Sequence, residues 1–173
     1  NGVKISNTNK ELFNLINKFK IPYSMTWATA DLHGANKDLD VGSFGNYATR
    51  HGNFAIQNSD LLIILGSRMN GTQIGSNPKI FAPKAKKVLI DIDPAELKEE
   101  NGVKINYKIN SDLKIFIKNF HKHAKKFNID KKWYVSINHW KNKYPIITPS
   151  MNRVNSSVNP YIFFDKLSNA CEE

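Results

Sequence analysis

The sequence predicts an α/β fold: a doubly wound, mostly parallel sheet followed by a C-terminal helical linker. Three observations carry this expectation. Leu61-Leu62-Ile63-Ile64-Leu65 is a continuous apolar run closed by Gly66, and such a run suits a strand covered on both faces. Lys87-Val88-Leu89-Ile90-Asp91-Ile92-Asp93-Pro94 repeats the pattern, and Val103 to Ile109 repeats it more weakly. The runs are separated by helix-length segments, which is the signature of βαβ units.

In chain order, Asn7 or Thr8 can cap a helix beginning at Asn9. Leu12, Phe13, Leu15, Ile16 and Phe19 then recur on one face until about Lys20. Pro22 to Thr26 reads as a short extended segment, and Gly34, Gly42 and Gly45 break the stretch after it into a long loop. Ala48 to Asn58 reads as a helix with small residues turned inward. Asp112 to Phe120, with Leu113, Phe116, Ile117 and Phe120 on one stripe, is the helix that closes the domain.

Beyond Phe120 the chain becomes basic and polar. Trp133 to Tyr144 has helical spacing, Pro145 to Ser157 carries two prolines and no long apolar run, and Pro160 opens an amphipathic helix bearing Tyr161, Phe164 and Leu167. These changes divide the chain into a domain at 1–120, a surface-crossing linker at 121–158 and the first helix of a following, truncated domain at 159–173, which ends on Cys171-Glu172-Glu173. At the other end, Asn1-Gly2-Val3 reads as the remains of a glycine turn after a first strand that lies upstream.

Composition narrows the function classes. Hydrophobic residues make up 40% of the 173, well above what a disordered chain carries. No apolar run approaches the ~20 residues needed to cross a bilayer, and no signal-peptide pattern opens the chain. A cytoplasmic protein with no membrane partner is expected. Cys171 is the single cysteine, which excludes an internal disulfide and a cysteine-based metal centre and leaves an incidental thiol. The net charge of +10 raises nucleic acid as a partner. Against it, only Arg50, Arg68 and Arg153 are arginine, and the lysines are scattered. Nucleic acid is therefore not expected, with Lys118, Lys122, Lys125, Lys126, Lys131 and Lys132 as the one patch of interest.

Several pieces then occur together in a telling order: Ile21-Pro22 leading to Thr26, Arg50-His51-Gly52, Ser59 through Arg68, Val88 through Glu96, and Ser111-Asp112-Leu113. As an ordered set they resemble the Rossmann-like, DHS-like middle domain of acetolactate synthase and its thiamine-diphosphate-dependent relatives. The likeness covers residues 1–120, and Trp133 to Leu167 resembles the connector toward the cofactor-binding domain. The resemblance implies a transferase parent that uses thiamine diphosphate and Mg2+ to decarboxylate and join 2-keto acids such as pyruvate in branched-chain amino acid biosynthesis. It implies a homodimer or homotetramer, with the thiamine and metal sites outside this chain. Alone, the fragment would be inactive and would bridge two catalytic domains.

In flavin-containing members this domain binds FAD, and the resemblance carries a cofactor-binding role for FAD or an ADP-like ligand onto Gly2, Thr26, Trp27, Arg50, His51, Gly66, Arg68, Asp91, Ile92 and Asp112. The expected crevice lies beyond the carboxyl ends of the strands. Acetolactate synthases follow the glycine-x-arginine with an acidic pair and a second arginine, whereas Met69 to Gln73 stand here. That departure removes a diphosphate contact and leaves an empty crevice as a competitor. Two neighbouring classes compete with the synthase reading: a thiamine-diphosphate decarboxylase or lyase built on the same architecture, and a free-standing nucleotide-binding module.

Each residue also has a plainer role. His51 can satisfy a backbone group, Arg68 can pair with Asp91 or Asp93, and Asp93 can cap the helix that Pro94 begins. Trp133, Trp140 and Tyr144 form an aromatic stripe suited to packing. His33, His121, His123 and His139 lack a metal-like arrangement and read as surface, and no nucleophile elbow or phosphate-cradling loop is present.

Overall fold

The computed structural model describes residues 1–173 apart from 33–35, 99–101, 126, 154–156 and 172–173. His33, Gly34, Lys126, Glu172 and Glu173 lie outside the described residues. The helices are α1 (Gly2–Ile5), α2 (Asn9–Phe19), α3 (Arg50–Asn58), α4 (Gly71–Ile74), α5 (Pro94–Lys98), α6 (Leu113–His123), α7 (Lys131–Lys143) and α8 (Pro160–Cys171). Three strands, β1 (Leu61–Leu65), β2 (Lys86–Asp91) and β3 (Tyr107–Asn110), form one sheet in the order β1-β2-β3.

Both pairings are parallel, with Ile63 opposite Val88 and Ile90 opposite Ile109. The apolar pentad is thus a strand, and it serves two cores at once because side chains alternate across a pleat. Ile63, Leu65, Val88, Ile90 and Ile109 pack with Leu15 and Phe19 of α2 and with Leu113 and Ile117 of α6. Leu62, Ile64 and Leu89 pack on the other face with Ile56 of α3, Ile74 of α4 and Leu97 of α5. Helices cover both faces, so the doubly wound arrangement is observed.

One cap and two boundaries differ from the sequence expectation, each for a local reason. The second helix forms from Asn9 as expected, but the side chain of Thr8 makes no cap bond; it is fully buried and its hydroxyl meets Ser6 Oγ at 2.8 Å. The helix placed at Ala48 starts at Arg50, because the Thr49 hydroxyl accepts a bond from Gly52 N at 3.2 Å and so caps the first turn. The closing helix runs to His123, past the Phe120 boundary, and its start is fixed by Asp112, whose carboxylate accepts from Lys114 N.

After α6 the chain packs back onto the domain. α7 lies along α3, with Ile137 buried among Val41, Ala55, Trp133 and Trp140. Phe54 of α3 stacks on Trp140 at 5.9 Å and on Tyr144 at 5.1 Å, and Trp133 meets Trp140 edge-on at 5.7 Å. The aromatic stripe is therefore a packing device. α8 has no buried residue, and Tyr161, Phe164 and Leu167 are exposed.

Candidate functional site

The carboxyl ends of the strands are where a parallel sheet of this kind presents ligand-facing groups. Gly66 ends β1 with φ of 54°, a left-handed conformation that glycine adopts without strain. Its amide donates to Ile90 O at 2.9 Å, and its carbonyl accepts from Gly2 N at 3.1 Å. The two glycines touch: a Cβ on Gly66 would come within 2.6 Å of Gly2 Cα and 3.3 Å of Leu113 Cδ1. Gly2 thus opens α1 against the end of β1, and its N–H is spent on Gly66 rather than aimed at an open crevice.

Next to it, Asp91 ends β2 and is buried. Its carboxylate accepts from Asp93 N at 3.0 Å, and its carbonyl accepts from Ser111 N at 3.0 Å and Asn110 Nδ2 at 3.1 Å. The polar atoms of Asp91 tie the ends of β2 and β3 together. Asp93 takes the capping role expected of it, accepting from Ala95 N at 2.9 Å. Ile92 is exposed and Asp112 is committed to capping α6. Gly2, Gly66, Asp91 and Asp112 are accordingly neighbours at one end of the sheet.

The other predicted site residues sit elsewhere. Arg68 is in an open pocket of about 420 Å³ with Asn70, Gly71, Gly75 and Pro78, and its Nε pairs with Glu96 at 2.9 Å. The plainer expectation named Asp91 or Asp93 as the partner; the bridge seen here is to Glu96. Glu96 lies in the first turn of α5, which places its carboxylate where Arg68 leaves β1. Sequence reading made Asp93 the cap of this helix and gave Glu96 no partner, so it missed this role. Thr26 lines a separate and larger groove beside β1, and Trp27 is exposed on a 3-10 turn spanning Trp27–Thr29.

Arg50 and His51 face α7. The Arg50 guanidinium lies 4.6 Å from the centroid of the Tyr144 ring, and His51 Nδ1 is 3.0 Å from Tyr144 O. Gly42, with φ of 86°, lets the imidazole in, since a Cβ there would fall 2.7 Å from His51 Nε2. His51 satisfies a backbone group, as its plainer reading has it, and Arg50 rests on an aromatic face. The ten predicted residues thus fall into four places: a strand-end cluster, an arginine pocket, a helix-docking contact, and the Thr26–Trp27 turn beside the larger groove.

Two titratable groups stand out. Lys87 in β2 is buried, and its ammonium donates to Ala82 O at 2.6 Å and Ala85 O at 3.2 Å. Burial, and secondarily the charge of Lys104, pushes the Lys87 amine below its ordinary value. Burial raises the Tyr134 phenol, which donates to Lys20 O at 2.6 Å. Neither group lies in a convergent polar cluster. Among the described residues no set of three His, Cys, Asp or Glu side chains can hold a metal ion, and no helix is long and apolar enough to cross a membrane. Cys171 is exposed and unbridged.

Comparison with known proteins gives concordant matches. A family model described as thiamine pyrophosphate enzyme, central domain, matches residues 1–120. The acetolactate synthase large subunit of Pyropia yezoensis is 26% identical over 167 residues, covering 93% of this chain and 27% of the relative. That of Cyanidium caldarium is 32% identical over 154 residues, covering 86% of the chain and 26% of the relative. A probable acetolactate synthase large subunit of Methanococcus aeolicus is 34% identical over 117 residues, covering 68% and 19%. The chain therefore spans about a quarter of the length of the first two relatives and a fifth of the third.

Proposed function

The chain belongs to the family of thiamine pyrophosphate enzyme central domains, and from that premise we propose that it is the middle domain of an acetolactate synthase-type enzyme, whose full chain decarboxylates a 2-keto acid such as pyruvate and transfers the remaining carbons to an acceptor. The observation that carries this reading is the run of acetolactate synthase large subunits matched along most of the chain. Thiamine diphosphate supplies the carbanion chemistry in such an enzyme, with Mg2+ on its diphosphate. Among the described residues no set of three His, Cys, Asp or Glu side chains can hold that metal, and in this reading the cofactor chemistry belongs to parts of the protein beyond this segment. The domain's own role is mechanical: a rigid two-faced sheet, with α7 fastened to α3, sets the spacing between neighbours in a cytoplasmic homo-oligomer.

Binding of FAD or an ADP-like ligand is the second reading. Arg68 favours it, since its side chain is 75% exposed and borders the 420 Å³ pocket, a suitable place for an anion at the end of a parallel strand. The residues at the strand ends fit such a ligand poorly. Gly2 N is bonded to Gly66 O, Asp91 is tied to Asp93 and Asp112 caps α6. Arg50 and His51 are engaged with Tyr144.

The test is to express the full-length protein and measure CO2 release from pyruvate, with thiamine diphosphate and Mg2+ added or withheld. Cofactor-dependent release supports the first reading, and its absence with every common 2-keto acid overturns it. Flavin absorbance in the purified protein, or a thermal shift on adding FAD or ADP, decides the second.

A further inference from the structure

The dipeptide Asn-Gly occurs three times, at Asn1, Asn70 and Asn101, and Asn101 lies outside the described residues. Such a pair carries a latent reaction. The glycine nitrogen can attack the side-chain carbonyl carbon of the asparagine, since no Cβ on the glycine screens it. Three local conditions favour the attack: an unengaged glycine N–H, a polarised side-chain carbonyl, and a backbone free to rotate. Asn1 and Asn70 allow a comparison within one molecule, because each precedes a helix of four residues, α1 and α4.

At Asn1 the nucleophile is engaged. Gly2 N donates to Gly66 O at 3.1 Å, and the contact is so close that a Cβ on Gly2 would stand 2.8 Å from Gly66 Cα. Val3 of α1 is buried in the core beneath, so opening this turn disturbs the packing. A hydrogen bond of this kind slows a reaction that needs it broken by up to about tenfold.

At Asn70 all three conditions are met. Asn70, Gly71 and Thr72 are exposed. Gly71 N has no acceptor among the described residues, and a Cβ on Gly71 would meet nothing within 4 Å. The Thr72 hydroxyl donates to Asn70 Oδ1 at 2.6 Å. Negative charge develops on that oxygen when the carbonyl carbon is attacked, and a donor so placed lowers the barrier. α4 is a single turn held by bonds from Gln73 N and Ile74 N to Asn70 O and from Gly75 N to Gly71 O. Its buried residue, Ile74, stands at the far end, and the first residues of so short a helix open readily.

We propose that Asn70 is a site of spontaneous deamidation. Gly71 N bonds to Asn70 Cγ and gives up its proton, while Nδ2 takes a proton and leaves as ammonia, which closes a succinimide ring. Water then adds to either ring carbonyl and opens the ring to aspartate or to isoaspartate. The sum is one water consumed and one ammonia released. Asn70 and Gly71 line the pocket of about 420 Å³ with Arg68 and Glu96, so either product sets a carboxylate beside that ion pair and makes the pocket less receptive to anions. The isoaspartyl product also lengthens the main chain by a methylene next to Met69, which is buried with φ of 51°. The proposal rests on neither functional reading, because its readout is the mass of a peptide.

The test incubates the full-length protein at neutral and at mildly alkaline pH and follows each Asn-Gly peptide by mass spectrometry, with isoaspartyl methyltransferase labelling to count the isomer. Conversion at Asn70 should run about tenfold ahead of conversion at Asn1. It should also quicken as pH rises, because Gly71 N must lose a proton. Gly71→Ala adds a methyl into open space and should bring the rate at position 70 down to that at Asn1. Thr72→Val keeps the side-chain shape, removes the donor and should slow conversion by about tenfold. A rate at Asn70 no greater than at Asn1, or one that Gly71→Ala and Thr72→Val leave unchanged, overturns the proposal.

Discussion

Replacing Gly66 with alanine tests the contact that joins the start of the chain to the end of β1. Gly66 has φ of 54°, where an alanine costs ~1–2 kcal/mol by chirality alone. Its new Cβ would stand 2.6 Å from Gly2 Cα and 3.1 Å from Gly2 N. Both are backbone atoms, so relief requires α1 to withdraw. Withdrawal lengthens the Gly2 N to Gly66 O bond of 3.1 Å, worth ~0.5–1.5 kcal/mol, and loosens the packing of Val3 and Leu113 in the core between them. The expected destabilisation is about 3 kcal/mol, which for a chain of this size lowers the melting temperature by roughly 6–12 °C. Gly71→Ala is the control, since a Cβ there meets nothing within 4 Å and φ is not positive; it should fall within ~0.5 kcal/mol of the parent. Urea melts of both variants read the difference. A Gly66→Ala protein within about 1 kcal/mol of Gly71→Ala would refute the reasoning.

Three further outcomes follow from the packing. The lowered amine of Lys87 gives a pH dependence of definite sign. Between its folded value and the unfolded 10.5 the unfolded chain holds more protons, so the cost of burying the charge, fully present below the folded value, is relieved as pH rises toward 10.5; urea midpoints of the parent should gain on those of Lys87→Met as pH rises through that window, and parallel curves would exclude the effect. A double-mutant cycle on Phe54→Ala and Trp140→Ala, whose rings stack at 5.9 Å, should give a coupling of ~0.5–1.5 kcal/mol in thermal melts, whereas strict additivity would mean that α7 is not docked. Asp112→Ala removes the cap of α6 and should cost ~1 kcal/mol in denaturant unfolding, with Asp112→Asn recovering most of it.

Much of the fold was legible because both faces of the sheet are covered. Leu61 to Leu65 could be read as a strand from its unbroken apolarity, and the helical stripe of Leu113, Phe116, Ile117 and Phe120 packs as its spacing implied. Helix starts were less so. Thr49 and Thr8 are both plausible caps by residue type, and only tertiary position decides that the first bonds Gly52 N while the second is buried on Ser6. The candidate site was the least readable part. Arg68, His51 and Asp91 can all bind anions or cap backbone, and their partners Glu96, Tyr144 and Asp93 range from two to 93 residues away in sequence. Periodicity carries no information on such pairings. Lys87 was likewise hidden: the sequence shows a lysine beginning a strand, and only the course of residues 82–85 supplies the carbonyls that receive it.

The sheet also acts as a partition. Because Ile63 and Ile64 send their side chains to separate interiors, a change of volume on one side meets none of the neighbours that could relax around a change on the other. Substitutions at even and odd positions of β1 should drift independently within a lineage, each co-varying with its own set of helices. The five-residue strand thus answers to two unrelated sets of steric constraints, alternating with every peptide.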